Sequence, residues 1–153
     1  MPERFTIRPM TPGDIDAVTA IAAALPDAPH WPRSSYEAIF TPNTSPQRIA
    51  LVAEAAPLGI AGFVIASALS PQAELESIAV AAHFQGQSLA GRLFTSLRQS
   101  LLVLGCSEIF LEVRQSNHAA LALYSALGFS QTARRPAYYS NPAEDAILMA
   151  RSV

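Results

Sequence analysis

Apolar and polar positions alternate with two different periods along this chain, and each change of period marks an element. A period of two over residues 5–8 predicts a short strand. Thr11 and Pro12 then supply an N-cap and a first-turn proline for a helix that runs to about residue 25. The prolines of 26–32 make that stretch a loop, and Ser34 with Glu37 has the spacing of a capping box for a brief second helix. Residues 48–54 and 60–69 read as two strands joined by a hairpin through 55–59, and 75–80 reads as a fourth strand. Within the fourth strand Glu76 and Ser77 are successive polar residues between Leu75 and Ile78. That interruption predicts a bulge, which would splay the strand from its neighbour.

Over 88–104 the period lengthens: Leu89, Leu93, Leu97, Leu101 and Leu104 recur at helical spacing, and Gly105 closes the helix. A fifth strand follows over 108–113. Ser116 or Asn117 caps a helix over 118–127, Gly128 ends it as a C′ residue, and 129–133 and 145–150 form the last two strands. A strand–helix–strand connection of this kind places strands four and five parallel, with the intervening turn at the carboxyl end of the first.

That turn carries the first chemical signal. Gln85-Gly86-Gln87-Ser88-Leu89-Ala90 puts small residues at a helix start, where about four backbone N–H groups lack intrahelical partners and the dipole is positive. A pyrophosphate fits such a place. A turn glycine and an N-cap serine account for Gly86 and Ser88 equally well.

Composition narrows the class. With 153 residues, half of them hydrophobic and 14% charged, the chain is long enough for one domain and is too apolar to be disordered. No apolar run is long enough to span a bilayer, and the first residues lack the features of a leader, so a cytoplasmic protein without membrane partners is expected. Cys106 is the only cysteine, which excludes an intrachain disulfide and predicts a free buried thiol. A net charge of −2 argues against a direct nucleic-acid partner, despite the local pair Arg134-Arg135. All basic residues are arginine, which excludes lysine nucleophiles, and His30, His83 and His118 lack metal-ligand spacing, so no metal is expected.

Three separated segments share one pattern: the turn over 85–90; Leu111-Glu112-Val113-Arg114, Asn117, Leu123-Tyr124 and Leu127-Gly128-Phe129; and Arg134-Arg135, Tyr138-Tyr139 and Glu144-Asp145-Ala146. Together they resemble the GNAT acetyltransferases. Over 78–150, with a weaker echo over 30–36, the chain is most similar to the RimI-type enzymes, which acetylate the N-terminal alanine of a small-subunit ribosomal protein. The resemblance implies an α/β (α+β) GNAT fold, a mixed central sheet of about seven strands with helices on both faces, splayed between strands four and five. It implies acetyl-CoA as cofactor, bound by Ile78, Ala79, Val80, Gln85, Gly86, Gln87, Ser88, Leu89, Ala90, Gly91, Asn117, Ala120 and Tyr124. It further implies a protein N-terminus as acceptor, held by Trp31, Tyr36, Tyr138 and Tyr139, with Glu112 as general base and Tyr124 as general acid.

Two departures from the family pattern stand out. The family's turn reads Gln or Arg, two variable residues, Gly, one variable residue, then Gly or Ala; Gln85 and Ala90 match, but Ser88 replaces the first glycine. A glycine-only dihedral would be strained there. Ala137 precedes the tyrosine pair, with Pro136 beside it, which alters the geometry expected of the substrate loop.

The chemistry implied is acyl transfer from a thioester to a neutral amine. Deprotonating an α-amine at pH 7 costs about 1 kcal/mol, against roughly 4.6 for a lysine, so a water-linked carboxylate is an adequate base for the former. Glu112 interrupts an apolar strand, although Glu108 and Glu112 sharing a solvent face is the plainer account. Tyr124 can protonate a departing thiolate, yet an aromatic in an amphipathic helix is more often core. Asn117 lies two helical turns before Tyr124 on the same face, where its amide caps the helix, holds a pantetheine arm, or does both. Two rival functions remain: a GNAT enzyme for a small amine or amino acid, and an acyl-CoA-binding module without turnover.

Overall fold

The computed structural model describes residues 5–26, 28–140 and 142–153; the leader reading of residues 1–4 lies outside them. Seven strands form one sheet in the order β1-β2-β3-β4-β5-β7-β6. The strands are β1 (Thr6–Pro9), β2 (Gln47–Ala55), β3 (Gly59–Leu69), β4 (Gln72–Val80), β5 (Glu108–Arg114), β6 (Ser130–Tyr139) and β7 (Glu144–Ser152). Four α-helices accompany them among the described residues: α1 (Ile15–Ala24), α2 (Arg33–Glu37), α3 (Leu89–Val103) and α4 (His118–Ala126). All strand pairs are antiparallel except β4 with β5.

β3 explains why the sheet is covered on both sides. Its side chains alternate between two apolar clusters: Val64 and Ala66 face the one built on α3, and Phe63 and Ile65 face the one built on α1 and α2. Leu89, Leu93, Leu97 and Leu101 are all buried, so the helical leucine stripe is the inner face of α3. Asn117 caps α4 by accepting a hydrogen bond at 3.1 Å from the Ala120 N–H, and Gly128, at φ +94°, ends it. Cys106 is a buried free thiol, as composition suggested, and burial pushes its pKa up.

Three elements differ from their sequence reading. α2 begins at Arg33 after an extended Pro32, so Ser34 sits inside the helix instead of capping it. β4 begins at Gln72, three residues before the predicted start, because Glu74 and Glu76 lie on one face and hide the alternation from a search for apolar runs. β6 continues to Tyr139, so the tyrosine pair ends a strand and does not sit in a loop. The strand is broken between Arg135 and Tyr139, where Ala137 takes φ +50° and its N–H donates to Asp145 Oδ1 at 2.9 Å.

Candidate active site

The opening of the sheet originates in one extra residue. Ile65 pairs with Ser77 and Ala66 with Leu75, which leaves Glu76 as a bulge at the position the sequence marked. β4 pairs with β5 only from Gln72 to Glu74, against Glu108 to Phe110. Beyond that point the strands part, and the C-terminal half of β4 presents its main-chain groups to the gap.

A cavity of about 550 Å³ occupies the gap. Ile78, Ala79 and Val80 of β4 form one wall, Gln85, Gly86, Ser88, Leu89 and Ala90 another, and Ala120 and Tyr124 of α4 a third, with the loop around Pro29 closing the side. The first backbone bond of α3 runs from the Arg92 N–H to the Ser88 carbonyl at 3.2 Å. The N–H groups of the preceding turn are therefore left to a ligand or to water at the positive end of the helix. Gln85 fixes the approach to this turn, its side-chain Nε2 donating to the Val80 carbonyl at 3.1 Å. Apolar walls, an unpaired strand edge and exposed helix-end N–H groups fit a ligand with an extended amide-bearing arm and a pyrophosphate.

Ser88 holds φ +59° and ψ +23°, and its side chain makes no capping hydrogen bond. Ser88 is thus the N-cap residue of α3 by position, as the sequence allowed, but it does not cap through its side chain, and the family's glycine preference has a backbone cause here. Gln87 and Gly91 are absent from the cavity wall, because Gln87 points to solvent and Gly91 already lies in the helix. Asn117 is likewise off the wall, its side-chain oxygen engaged as the cap of α4.

A second cavity of about 290 Å³ is lined by Trp31, Ser35, Arg48, Glu74, Glu76 and Glu112. Glu112 thus faces a cavity on the α1/α2 side of the sheet, whereas Glu108 is exposed and accepts from Gln72 Nε2 at 3.3 Å. Two of the three carboxylates have cationic partners: Glu76 with Arg48 Nε at 2.9 Å, and Glu112 with Arg135 at 3.5 Å. Burial raises the pKa of Glu74, and the like charge of Glu112 adds to it, with Arg48 partly offsetting both. Sequence reasoning missed Glu74, Glu76 and Arg48. The alternation Gln72-Ala73-Glu74-Leu75-Glu76, read as a strand with one acidic face, was the available signal.

Tyr124 is partly buried and packs edge-on against Phe129 at 6.0 Å between centroids. Burial, and then the neighbouring Tyr139, hold its phenol above the ordinary value, so the hydroxyl stays protonated at neutral pH and can donate a proton. Burial first, and then the charge of Glu112, hold the Tyr139 phenol above its ordinary value, with Arg114 partly offsetting them. Tyr138 and Tyr139 meet edge-on at 5.0 Å; Arg135 lies over the Tyr138 ring and Arg114 over the Tyr139 ring. Neither tyrosine lines the two cavities; Arg135 links the Tyr138 ring to Glu112, whereas Arg114 pairs with Glu144. Tyr36 does not reach the acceptor side: it is 1% exposed and packs against Trp31 at 5.3 Å, which makes it the support of that ring.

The acetyltransferase (GNAT) family matches residues 17–129. A [ribosomal protein bS18]-alanine N-acetyltransferase of Haemophilus ducreyi is 42% identical over 94 residues, which are 60% of this chain and 65% of the relative; the match therefore spans under two thirds of that protein's length. A Bacillus subtilis relative provisionally named for the same activity is 30% identical over 149 residues, 97% of this chain and 96% of its own. The crystal structure of the Escherichia coli ribosomal-protein-S18-alanine N-acetyltransferase superposes with a TM-score of 0.80 at 29% identity, covering 98% of this chain and 94% of that one.

Proposed function

Because the chain belongs to the acetyltransferase (GNAT) family, we propose that it transfers an acetyl group from acetyl-CoA to the N-terminal α-amine of a protein, with a ribosomal protein as the physiological acceptor. The observation that carries this reading is the pair of cavities beside the β4–β5 opening, one largely apolar and bounded by the start of α3 and the other lined by carboxylates. Acetyl-CoA, when bound, supplies the acetyl group as an activated thioester. Ile78, Ala79 and Val80 offer main-chain groups to its amide arm, and the turn over 85–90 offers N–H groups to its pyrophosphate. Glu112 accepts a proton from the acceptor nitrogen, directly or through one water, and Tyr124 gives a proton to the departing sulfur. Trp31 forms a wall of the acceptor cavity, and Tyr138 and Tyr139 form the rim over which a peptide end enters. The acceptor is held as a chain end without nucleic-acid contact, and the cytoplasm is the place of reaction. No described helix is long and apolar enough to cross a membrane.

The test is thiol release from acetyl-CoA with a peptide beginning Ala-Arg, compared with the same peptide blocked at its terminus. Turnover is expected only with the free terminus. Glu112→Gln and Tyr124→Phe are each expected to lower kcat by about 100-fold or more, and Glu112→Gln to leave acetyl-CoA affinity near wild type, because Glu112 lies outside the cofactor cavity. Acetyl-CoA binding without turnover on any amine would favour the binding-module alternative.

A further inference from the structure

Arg151 is a cation on the helix-covered face of the sheet. It pairs across to Ile109, a fully buried residue of the cluster built on α3, and directly opposed residues point to the same face. Its guanidinium lies over the Phe94 ring at 5.4 Å, with Nη1 donating to the Leu127 carbonyl at 2.5 Å and Nε to the Ser152 carbonyl at 2.7 Å. Only a glycine admits it: a Cβ on Gly128 would stand 2.8 Å from Nη1. Arg98 follows Phe94 by four residues on α3, which sets it one turn further along the same face, beside Arg151. The Arg98 Nε is buried with no hydrogen-bond partner, and among the described residues neither arginine forms an ion pair with a carboxylate. Burial first, and then the charge of Arg98, lower the proton affinity of Arg151.

We propose that Arg98 and Arg151 form a binding site for a phosphate, as the free ion or as a small monoester, apart from the site of acetyl transfer. Two half-buried cations side by side, one of them with an orphaned N–H, lack a counter-charge that a single anion can supply. The charge selects the ligand. A phosphate monoester carries about −1.5 to −2 at pH 7 and neutralises both guanidinium groups, whereas a carboxylate leaves one of them unmatched. Its several oxygens also suit the planar donor forks of two arginines, and Arg98 offers all of its fork. The place is distinct from the cofactor turn, because Arg98 lies ten residues beyond Ser88, about 15 Å along α3, and neither arginine lines the cofactor cavity. A phosphate held there joins α3 to β7 and, through the Leu127 carbonyl, to the end of α4.

The test follows the arginine Nε–H signals of the full chain by nuclear magnetic resonance as inorganic phosphate replaces chloride at pH 7 and constant ionic strength. Coenzyme A is present in excess, so that the turn over 85–90 is not the place where phosphate binds. The Arg98 signal, identified by its loss in Arg98→Lys, is expected to move and to saturate. Arg98→Gln is expected to bind phosphate at least tenfold more weakly than wild type, and Arg98→Lys, which keeps the charge without the fork, to fall between them. Glycerol phosphate titrated in parallel separates the two sources: tighter binding than inorganic phosphate assigns the site to a phosphorylated small molecule, and weaker binding assigns it to the free ion. An Arg98 signal that ignores phosphate, or a phosphate affinity unchanged in both Arg98 variants, would overturn the proposal.

Discussion

Ser88 sets the cofactor turn at a cost that the backbone makes visible. A non-glycine residue at φ +59° pays roughly 1 kcal/mol for the contact between its Cβ and the chain, and no capping bond returns it. Ser88→Gly is therefore expected to stabilise the fold by about 1 kcal/mol, read as a higher melting temperature, with acetyl-CoA affinity equal to or tighter than wild type by calorimetry. Weaker binding would show that the hydroxyl donates to a phosphate. At this scale Ser88 was legible as a departure within a pattern that Gln85 and Ala90 keep, but the roles proposed for Glu112 and Tyr124 were not legible from the residues alone. A glutamate in a strand and a tyrosine in a helix have ordinary structural explanations, and only the resemblance singled them out. Glu74 differs: the acidic face of its strand was visible in the alternation over 72–76, but the cavity it shares with Glu112 comes from the pairing of β4 with β5, residues far apart in the chain.

Among the elements, β4 decides the architecture, and β3 holds it in place by close approach. Gly62 pairs with Val80, and a Cβ added at Gly62 would stand 2.8 Å from the Ala79 carbonyl oxygen and 3.3 Å from a Leu93 methyl. Gly62→Ala must push the end of β4 into the cofactor cavity or away from α3. It is expected to destabilise the protein by about 1–3 kcal/mol in denaturant titration and to weaken acetyl-CoA binding as well. A wild-type denaturation midpoint would show that the strands absorb the methyl group. The strands with alternating or apolar runs, β2, β3 and β5, were readable because they bury at least one face. Of β6 only the first residues were read as a strand, since nearly all of it is exposed and Arg134, Arg135 and Pro136 give no alternation to follow. The bulge at Glu76 was readable because two adjacent polar residues cannot both face a core.

For the whole molecule, β1 is tied to the start of α1 by one ion pair of two short bonds. Arg8 donates to both Asp14 oxygens at 2.8 and 2.9 Å, and the Thr11 N–H adds a third bond to Asp14 at 2.8 Å. The Arg8 guanidinium, assisted by Thr11, draws the Asp14 pKa from 3.8 down to about 2 against the effect of burial. A carboxylate with a depressed folded-state pKa stabilises fully above its unfolded value and loses that contribution as pH falls through the folded one. Asp14 thus supplies about 2 kcal/mol at neutral pH that fades between about pH 4 and pH 2. Thermal melts of wild type and Asp14→Asn are expected to differ at pH 6 and to converge near pH 2; a gap independent of pH would remove the charge from the explanation.

The proposed reaction belongs to this same scale, because it needs both cavities beside the β4–β5 opening at once. An α-amine is about 2.5 pKa units less basic than a lysine, worth roughly 3.4 kcal/mol in the population of neutral nucleophile at pH 7. The most direct measurement is a competition, read by mass spectrometry, between a peptide with a free N-terminal alanine and the same peptide with a blocked terminus and an internal lysine, both incubated with the protein and acetyl-CoA. The N-terminal α-amine is expected to be acetylated far faster, and preferential modification of the lysine would contradict the account.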